Sequence, residues 1–304
     1  MFRILTIGLA LLVFGPAAFA CAITSDLNRE KVVDYVSLGG ACLAAPPTGF
    51  RFDETVERAF LTKINAERKR QGLAVYRVRE ALRPAARFQS LDMAANGFFD
   101  HKSPDGRRAA QRIAAFDRTL LAQSTGENIA VFGPAKCYDQ NDIEVSCFNL
   151  PGFKLPSPNA VAEKLHQELM NSEGHRANIM SEDFTHASIG VARTDSGFYV
   201  TQLFANPVGR LSEPLPTEFT LNASMGLVPK LSGWDTGYYT VIDAAGERTD
   251  LTSDTLSKLN TGDLTLNVVG QNKSEEKRGA ETYILTEWLS LSGPSFTLSD
   301  ATGS

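Results

Sequence analysis

The chain has 304 residues, 43% hydrophobic and 21% charged, close to the balance of ordinary globular proteins, which excludes a disordered or fibrous chain. Thirty lysines and arginines against 35 aspartates and glutamates leave a net charge of −5, so the basic footprint of a nucleic-acid-binding protein is missing. Beyond the first residues no apolar run approaches the roughly 18 residues of a transmembrane segment, and none is expected.

At the N-terminus, Arg3 precedes the apolar run Ile4 to Phe14, Gly15-Pro16 breaks it, and Ala18-Phe19-Ala20 supplies small residues for cleavage. A charged start, a short apolar core and an A-x-A end form the pattern of a secretory signal peptide over residues 1–20. It predicts a secreted or periplasmic protein. All four cysteines, Cys21, Cys42, Cys137 and Cys147, follow this leader. An even count in an oxidising compartment suggests disulfides; three pairings are open, and proximity favours Cys21–Cys42 with Cys137–Cys147. Cys21 would also open the mature chain, where bacterial lipoproteins carry their lipid. The usual leucine three places earlier is missing, so a lipid anchor is the less favoured reading.

Residues 21–53, with Gly39-Gly40 and Pro46-Pro47, read as an extended N-terminal arm tied down by a disulfide. Helical periodicity begins at Glu54 and continues to Arg70, with Val56, Phe60 and Ile64 on one face and Gly72 beyond the end. Leu82 to Asn96 repeats the pattern and stops at Gly97. A weaker third helix is expected from Arg107 to about Leu121, and a fourth from Asn159 to Ser172 with Asn159 as its cap. Between them, residues 133–158 hold four prolines and two cysteines and read as a long, stapled surface excursion. Ser188 to Arg193 and Phe198 to Leu203 flank Asp195-Ser196-Gly197, a hairpin signal.

Three prolines between Asn206 and Pro216 suggest a linker. Beyond it, Tyr238 to Ile242, Asp263 to Val269 and Thr282 to Leu291 carry β-branched and aromatic residues, with Leu264, Leu266 and Val268 alternating as in a half-buried strand. The predicted organisation is a leader (1–20), an arm (21–53), an α+β domain (54–205), a linker (206–216) and a small β-sandwich-like domain (217–304).

Chemistry must come from few residues. Of four histidines, His101 follows the second helix in Phe98 to Gly106 and His175 follows the fourth in Ser172 to Ile179. Glu127 stands between them in Gly126-Glu127-Asn128. Turns and helix ends present side chains to clefts, and imidazole with carboxylate suits both zinc and acid–base work near neutral pH. Each also has a plainer reading: His101 bonding its turn, Glu127 capping backbone groups, His175 fixing a helix end. His166 reads as a helix-surface residue and His186 as a solvated loop residue.

In order, LTKINAERKRQGL (61–73), FFDHKSPDG (98–106), GENIA (126–130), SEGHRANIM (172–180) and FTHASIGVARTDSGFYVTQLF (184–204) resemble the bacterial members of the CAP superfamily, which includes cysteine-rich secretory proteins, antigen 5 and plant pathogenesis-related proteins. The resemblance covers roughly half the chain. It implies a CAP-type α-β-α sandwich with a central antiparallel sheet and a cleft of two His and two Glu. His101, Glu127 and His175 match three of those positions, and Glu173 is the candidate for the fourth.

Two functions follow from the resemblance. The favoured one is a secreted binding protein whose His/Glu cleft holds a divalent metal, zinc foremost, and a lipid, small-molecule or cell-envelope ligand, with the C-terminal β domain meeting a protein partner. The alternative is a secreted, metal-dependent, peptidase-like hydrolase in which His101 and His175 hold zinc and Glu127 activates water. No HExxH, G-x-S-x-G, P-loop or G-x-G-x-x-G motif occurs.

Overall fold

A computed structural model describes residues 21–23, 31–133, 136–138, 144–146, 154–221, 223–251, 256–278 and 281–300. The expected leader, residues 1–20, and Cys147 lie outside them. In chain order the elements are α1 (Val32–Ala44), β1 (Arg51–Phe52), α2 (Glu54–Arg70), β2 (Arg77–Val78), α3 (Arg83–Asn96), α4 (Ala109–Phe116) and β3 (Leu120–Phe132). There follow β4 (Lys136–Tyr138), β5 (Glu144–Ser146), α5 (Pro158–Asn171), α6 (Glu173–Met180), β6 (His186–Arg193) and β7 (Phe198–Leu211). The C-terminal part adds β8 (Glu218–Thr220), β9 (Pro229–Leu231), β10 (Asp235–Asp243), β11 (Arg248–Leu251), β12 (Gly262–Arg278) and β13 (Glu281–Ser299).

The best-patterned helices form where the periodicity places them. Asp53 caps α2 by accepting from the Val56 N–H, and Arg68, Lys69 and Arg70 close its last turn, where cations suit the helix dipole. Gly97 ends α3 in the left-handed region, at φ 66°. The α5 helix starts slightly earlier than expected: Ser157 caps it and Pro158 fills the first turn.

These helices sandwich the antiparallel trio β6-β7-β3. Val56, Phe60 and Ile64 of α2 and Val161, Leu165 and Leu169 of α5 meet Ile189, Val191, Phe198 and Val200 on one face. The alternate residues meet α3 on the other face. There Gly190 of β6 lies so close that an added Cβ would sit 2.2 Å from the Ala86 carbonyl carbon. Ser90 of α3 locks the layer by donating to the Gly190 carbonyl oxygen at 2.9 Å.

Several expectations need correction. The arm is not extended throughout, because it contains α1, whose buried stripe is Val32, Tyr35, Gly39 and Cys42. Gly39 marks close packing rather than a break: a Cβ there would lie 2.3 Å from the Phe116 ring. The predicted tether is present as a Cys21–Cys42 disulfide. For the second expected pair, β4 aligns Cys137 with Val145 of β5, and the bond itself falls outside the described residues.

The third helix runs only over α4, and the chain becomes strand from Leu120. Asp117 terminates the helix, its carboxylate drawn off to the Arg79 guanidinium at 2.9 Å. The expected linker is half strand: β7 continues to Leu211 and pairs Arg210 with Leu120. Pro207 stands opposite Ala122, where the register slips, a place that tolerates a residue without N–H.

The C-terminal segment is β-structured as expected, but its strands continue the central sheet in the order β1-β6-β7-β3-β13-β12-β10-β11. The junction is Ser292 of β13 opposite Ala122 of β3. Its core likewise crosses the expected boundary, packing Leu121, Leu211 and Leu215 with Phe219, Val241, Leu266, Leu291 and Phe296.

Candidate functional site

The turn after α3, the middle of β3 and the start of α6 meet around Glu127. His101, in the turn, places its Nδ1 2.8 Å from Oε1 of Glu127 in β3. The other carboxylate oxygen accepts from Arg112 Nη2 at 2.6 Å. Arg112 comes from α4 and is fully buried, whereas the His101 side chain is 45% exposed. The carboxylate is therefore gripped from beneath by a cation and carries an imidazole on its outer edge.

Arg112 also organises the turn that bears His101. Its Nη1 donates to the carbonyl of Arg107 at 2.7 Å, to that of His101 at 3.1 Å and to Ser103 Oγ at 3.2 Å. Ser103 donates in turn to Gln89 Oε1 at 2.8 Å, and Gln89 Nε2 donates to the Asp100 carbonyl at 3.1 Å. Buried polar groups need such partners, and this network makes the turn a single rigid piece.

The opposite wall is pinned by two amides. Asn128 donates to the His175 carbonyl at 3.1 Å and to Gln202 Oε1 at 3.1 Å. Asn178 of α6 donates to the Glu127 carbonyl at 3.1 Å and to Asn128 Oδ1 at 2.9 Å. His175 is half-buried. Burial first, and then the neighbouring His101, hold its pKa below the ordinary histidine value.

Donation of the His101 Nδ1–H to the carboxylate leaves Nε2 with its lone pair directed away from Glu127. That is the arrangement of an imidazole oriented by a carboxylate behind it. Glu127 has no oxygen without a strong donor.

The structure thus brings His101 and Glu127 into contact and sets His175 across from them. Glu173 stands elsewhere: it is exposed in the first turn of α6, beside Met170, Arg176, Ala177 and Met180. Two residues along a helix is about 200° around its axis, which separates Glu173 from His175. Among the described residues no group of three or more His, Cys, Asp or Glu could hold a metal ion.

Sequence reasoning missed Arg112, Asn128, Asn178 and Gln202. A readable signal existed for Arg112, which sits beside Ile113 on the inward face of α4. Two histidines also differ from expectation. His166 is buried rather than superficial, with Nδ1 lacking a partner among the described residues. His186 heads β6, half-buried, with Nδ1 2.9 Å from Thr185 Oγ1.

A layered α-β-α domain with a histidine–glutamate pair at its cleft is the class of protein defined by these features. Residues 61–204 match the model of the cysteine-rich secretory protein family, CAP. Over residues 61–204 the chain carries a CAP domain, similar to that of a bacterial relative. Uncharacterized protein YkwD of Bacillus subtilis strain 168 is 34% identical over 148 residues, 49% of this chain and 46% of that protein. The chain thus spans less than half the length of that relative. Two solved structures are similar over about half of the chain. An outer surface protein of Borrelia burgdorferi matches with a TM-score of 0.39 at 16% identity, over 52% of this chain and 98% of that one. An extracellular SCP-domain protein of Bacillus anthracis strain Ames matches with a TM-score of 0.37 at 25% identity, over 51% of this chain and 41% of that one.

Proposed function

We propose that the protein is an extracellular binding protein whose cleft takes up a divalent cation, zinc foremost, on the imidazoles of His101 and His175. The observation that carries this reading is the bracing of Glu127, with His101 Nδ1 at 2.8 Å and Arg112 at 2.6 Å on its two oxygens. A ligand set of His101, Glu127 and His175 has no support in the geometry, because among the described residues no group of three or more His, Cys, Asp or Glu could hold a metal ion. A pair of imidazoles with Glu127 behind one of them does fit, since a metal-bound histidine donates its other N–H to such a carboxylate. A bound cation would supply a fixed positive centre for an anionic or carbonyl group of a lipid or cell-envelope ligand.

Support for an extracellular location comes from the leader-like sequence at residues 1–20 and from the Cys21–Cys42 disulfide, a bond that persists in oxidising compartments. No helix among the described residues is long and apolar enough to cross a membrane. The hydrolase alternative has less support in its original form, because each oxygen of Glu127 already accepts a hydrogen bond, one from His101 and one from Arg112.

Titration calorimetry with zinc tests the proposal. The wild type is expected to bind, His101→Ala and His175→Ala to lose binding, and Glu127→Gln to weaken it about 10–100-fold. Equal affinity in all four proteins would refute it. Peptide or ester turnover that disappears with a chelator would favour the hydrolase reading instead.

A further inference from the structure

The β12–β13 hairpin runs well past the sheet that carries it. Strand β10 follows β12 only as far as Gln271, opposite Asp235. Outward from there, Asn272 to Arg278 and Glu281 to Glu287 pair only with each other among the described residues. The result is a two-stranded arm with one strand edge on either side.

The two edges differ in kind. Along β12 the arm reads Asn-Lys-Ser-Glu-Glu-Lys from 272 to 277, so lysines punctuate the edge in the way natural sheets block further pairing. Along β13 it reads Thr-Tyr-Ile-Leu-Thr-Glu-Trp from 282 to 288, with no lysine, no proline and no break in register. Residues 281–288 are all exposed, Ile284 at 69% and Trp288 at 55%, so apolar side chains cover both faces. A long, regular, apolar edge is a template for another strand, and a two-stranded arm alone is marginal in water.

We propose that this edge is a homodimer interface, in which two copies pair residues 282–290 antiparallel about a two-fold axis at Thr286. In that register Ile284 faces the second copy's Trp288, Tyr283 faces its Leu289, and Thr286 faces itself. Apolar and Thr–Thr cross-strand pairs are the favourable ones. No glutamate meets a glutamate, whereas a register centred on Ile284 sets Glu281 against Glu287. The pairing is isologous and produces a four-stranded sheet whose outer edges are the two charged β12 strands, so assembly stops at two.

Sedimentation equilibrium of the full chain tests this. The wild type is expected to be dimeric at about 50 μM, with dissociation on dilution following mass action. Thr286→Lys, which opposes two ammonium groups across the axis at an exposed position, is expected to be monomeric and to melt where the wild type melts once diluted to its monomer. Glu275→Lys, on the β12 edge, stays dimeric. Oxidised Thr286→Cys cross-links to itself, a readout independent of the lysine variant. A monomeric wild type, a dimeric Thr286→Lys, open-ended assembly or a failure of Thr286→Cys to cross-link would each overturn the proposal.

Discussion

Arg112 is the residue on which the cleft depends most. It is buried completely, and one guanidinium nitrogen meets Glu127 while the other holds the turn that bears His101. Removing one partner of a buried pair strands the other charge, typically at a cost of about 3–5 kcal/mol. Arg112→Met is therefore expected to lower the unfolding free energy by about that amount in urea titrations. A loss within the roughly 0.5 kcal/mol of ordinary surface substitutions would show that Glu127 does not rely on it.

His166 makes a second prediction at this scale. Burial, helped by Lys63, holds its pKa below the ordinary value against the opposing pull of Glu67 and Glu163. The unfolded chain then binds the proton more readily than the fold does, so stability is undiminished above about pH 6.5 and falls as pH drops through the lowered value. His175 and His186 are shifted in the same direction. His166→Leu is expected to flatten, without abolishing, the fall in stability between about pH 7 and 5, measured by urea denaturation. An unchanged pH profile would remove His166 from the explanation.

Among the elements, α2, α3, α5 and the β6–β7 hairpin were legible because each buries one face and so carries its period in the sequence. Strand β3 was not. Its middle, Gln-Ser-Thr-Gly-Glu-Asn, is polar because it builds the cleft, and polar residues erase the alternation that marks a strand. The same conflict hid α6, whose eight residues include only Ile179 as a buried side chain. Helix α1 was hidden by Gly39-Gly40, read as a break. The two glycines offer a paired test. Gly39→Ala is expected to destabilise by about 1–3 kcal/mol, because its Cβ meets the Phe116 ring. Gly40 has open space, so Gly40→Ala is expected to stabilise the helix by about 0.5–1 kcal/mol. Matching shifts in melting temperature would contradict the packing assigned to α1.

At the scale of the whole molecule, the sequence shows where β structure takes over from helix, but the three prolines after Asn206 suggest a joint that the structure does not contain. A proline at a register slip looks the same in sequence as a proline in a linker, and only pairing partners distinguish them. Because Leu121, Leu211 and Leu215 share a core with the C-terminal strands, residues 206–211 are expected to resist limited proteolysis. Early cleavage there into two stably folded fragments would contradict the continuous sheet. The cleft itself was half legible: its histidines and Glu127 stand in recognisable segments, whereas the buried arginine and amides that fix them are ordinary residues in sequence.

The most direct test of the cleft is the tautomer of His101 and its response to zinc. With four histidines in the chain, long-range nitrogen–proton correlation spectra can resolve every ring. The prediction is that His101 carries its proton on Nδ1 at about pH 7.5, and that zinc perturbs the His101 Nε2 and the His175 ring while His166 and His186 stay unchanged. A proton on Nε2 of His101, or spectra indifferent to zinc, would contradict the account.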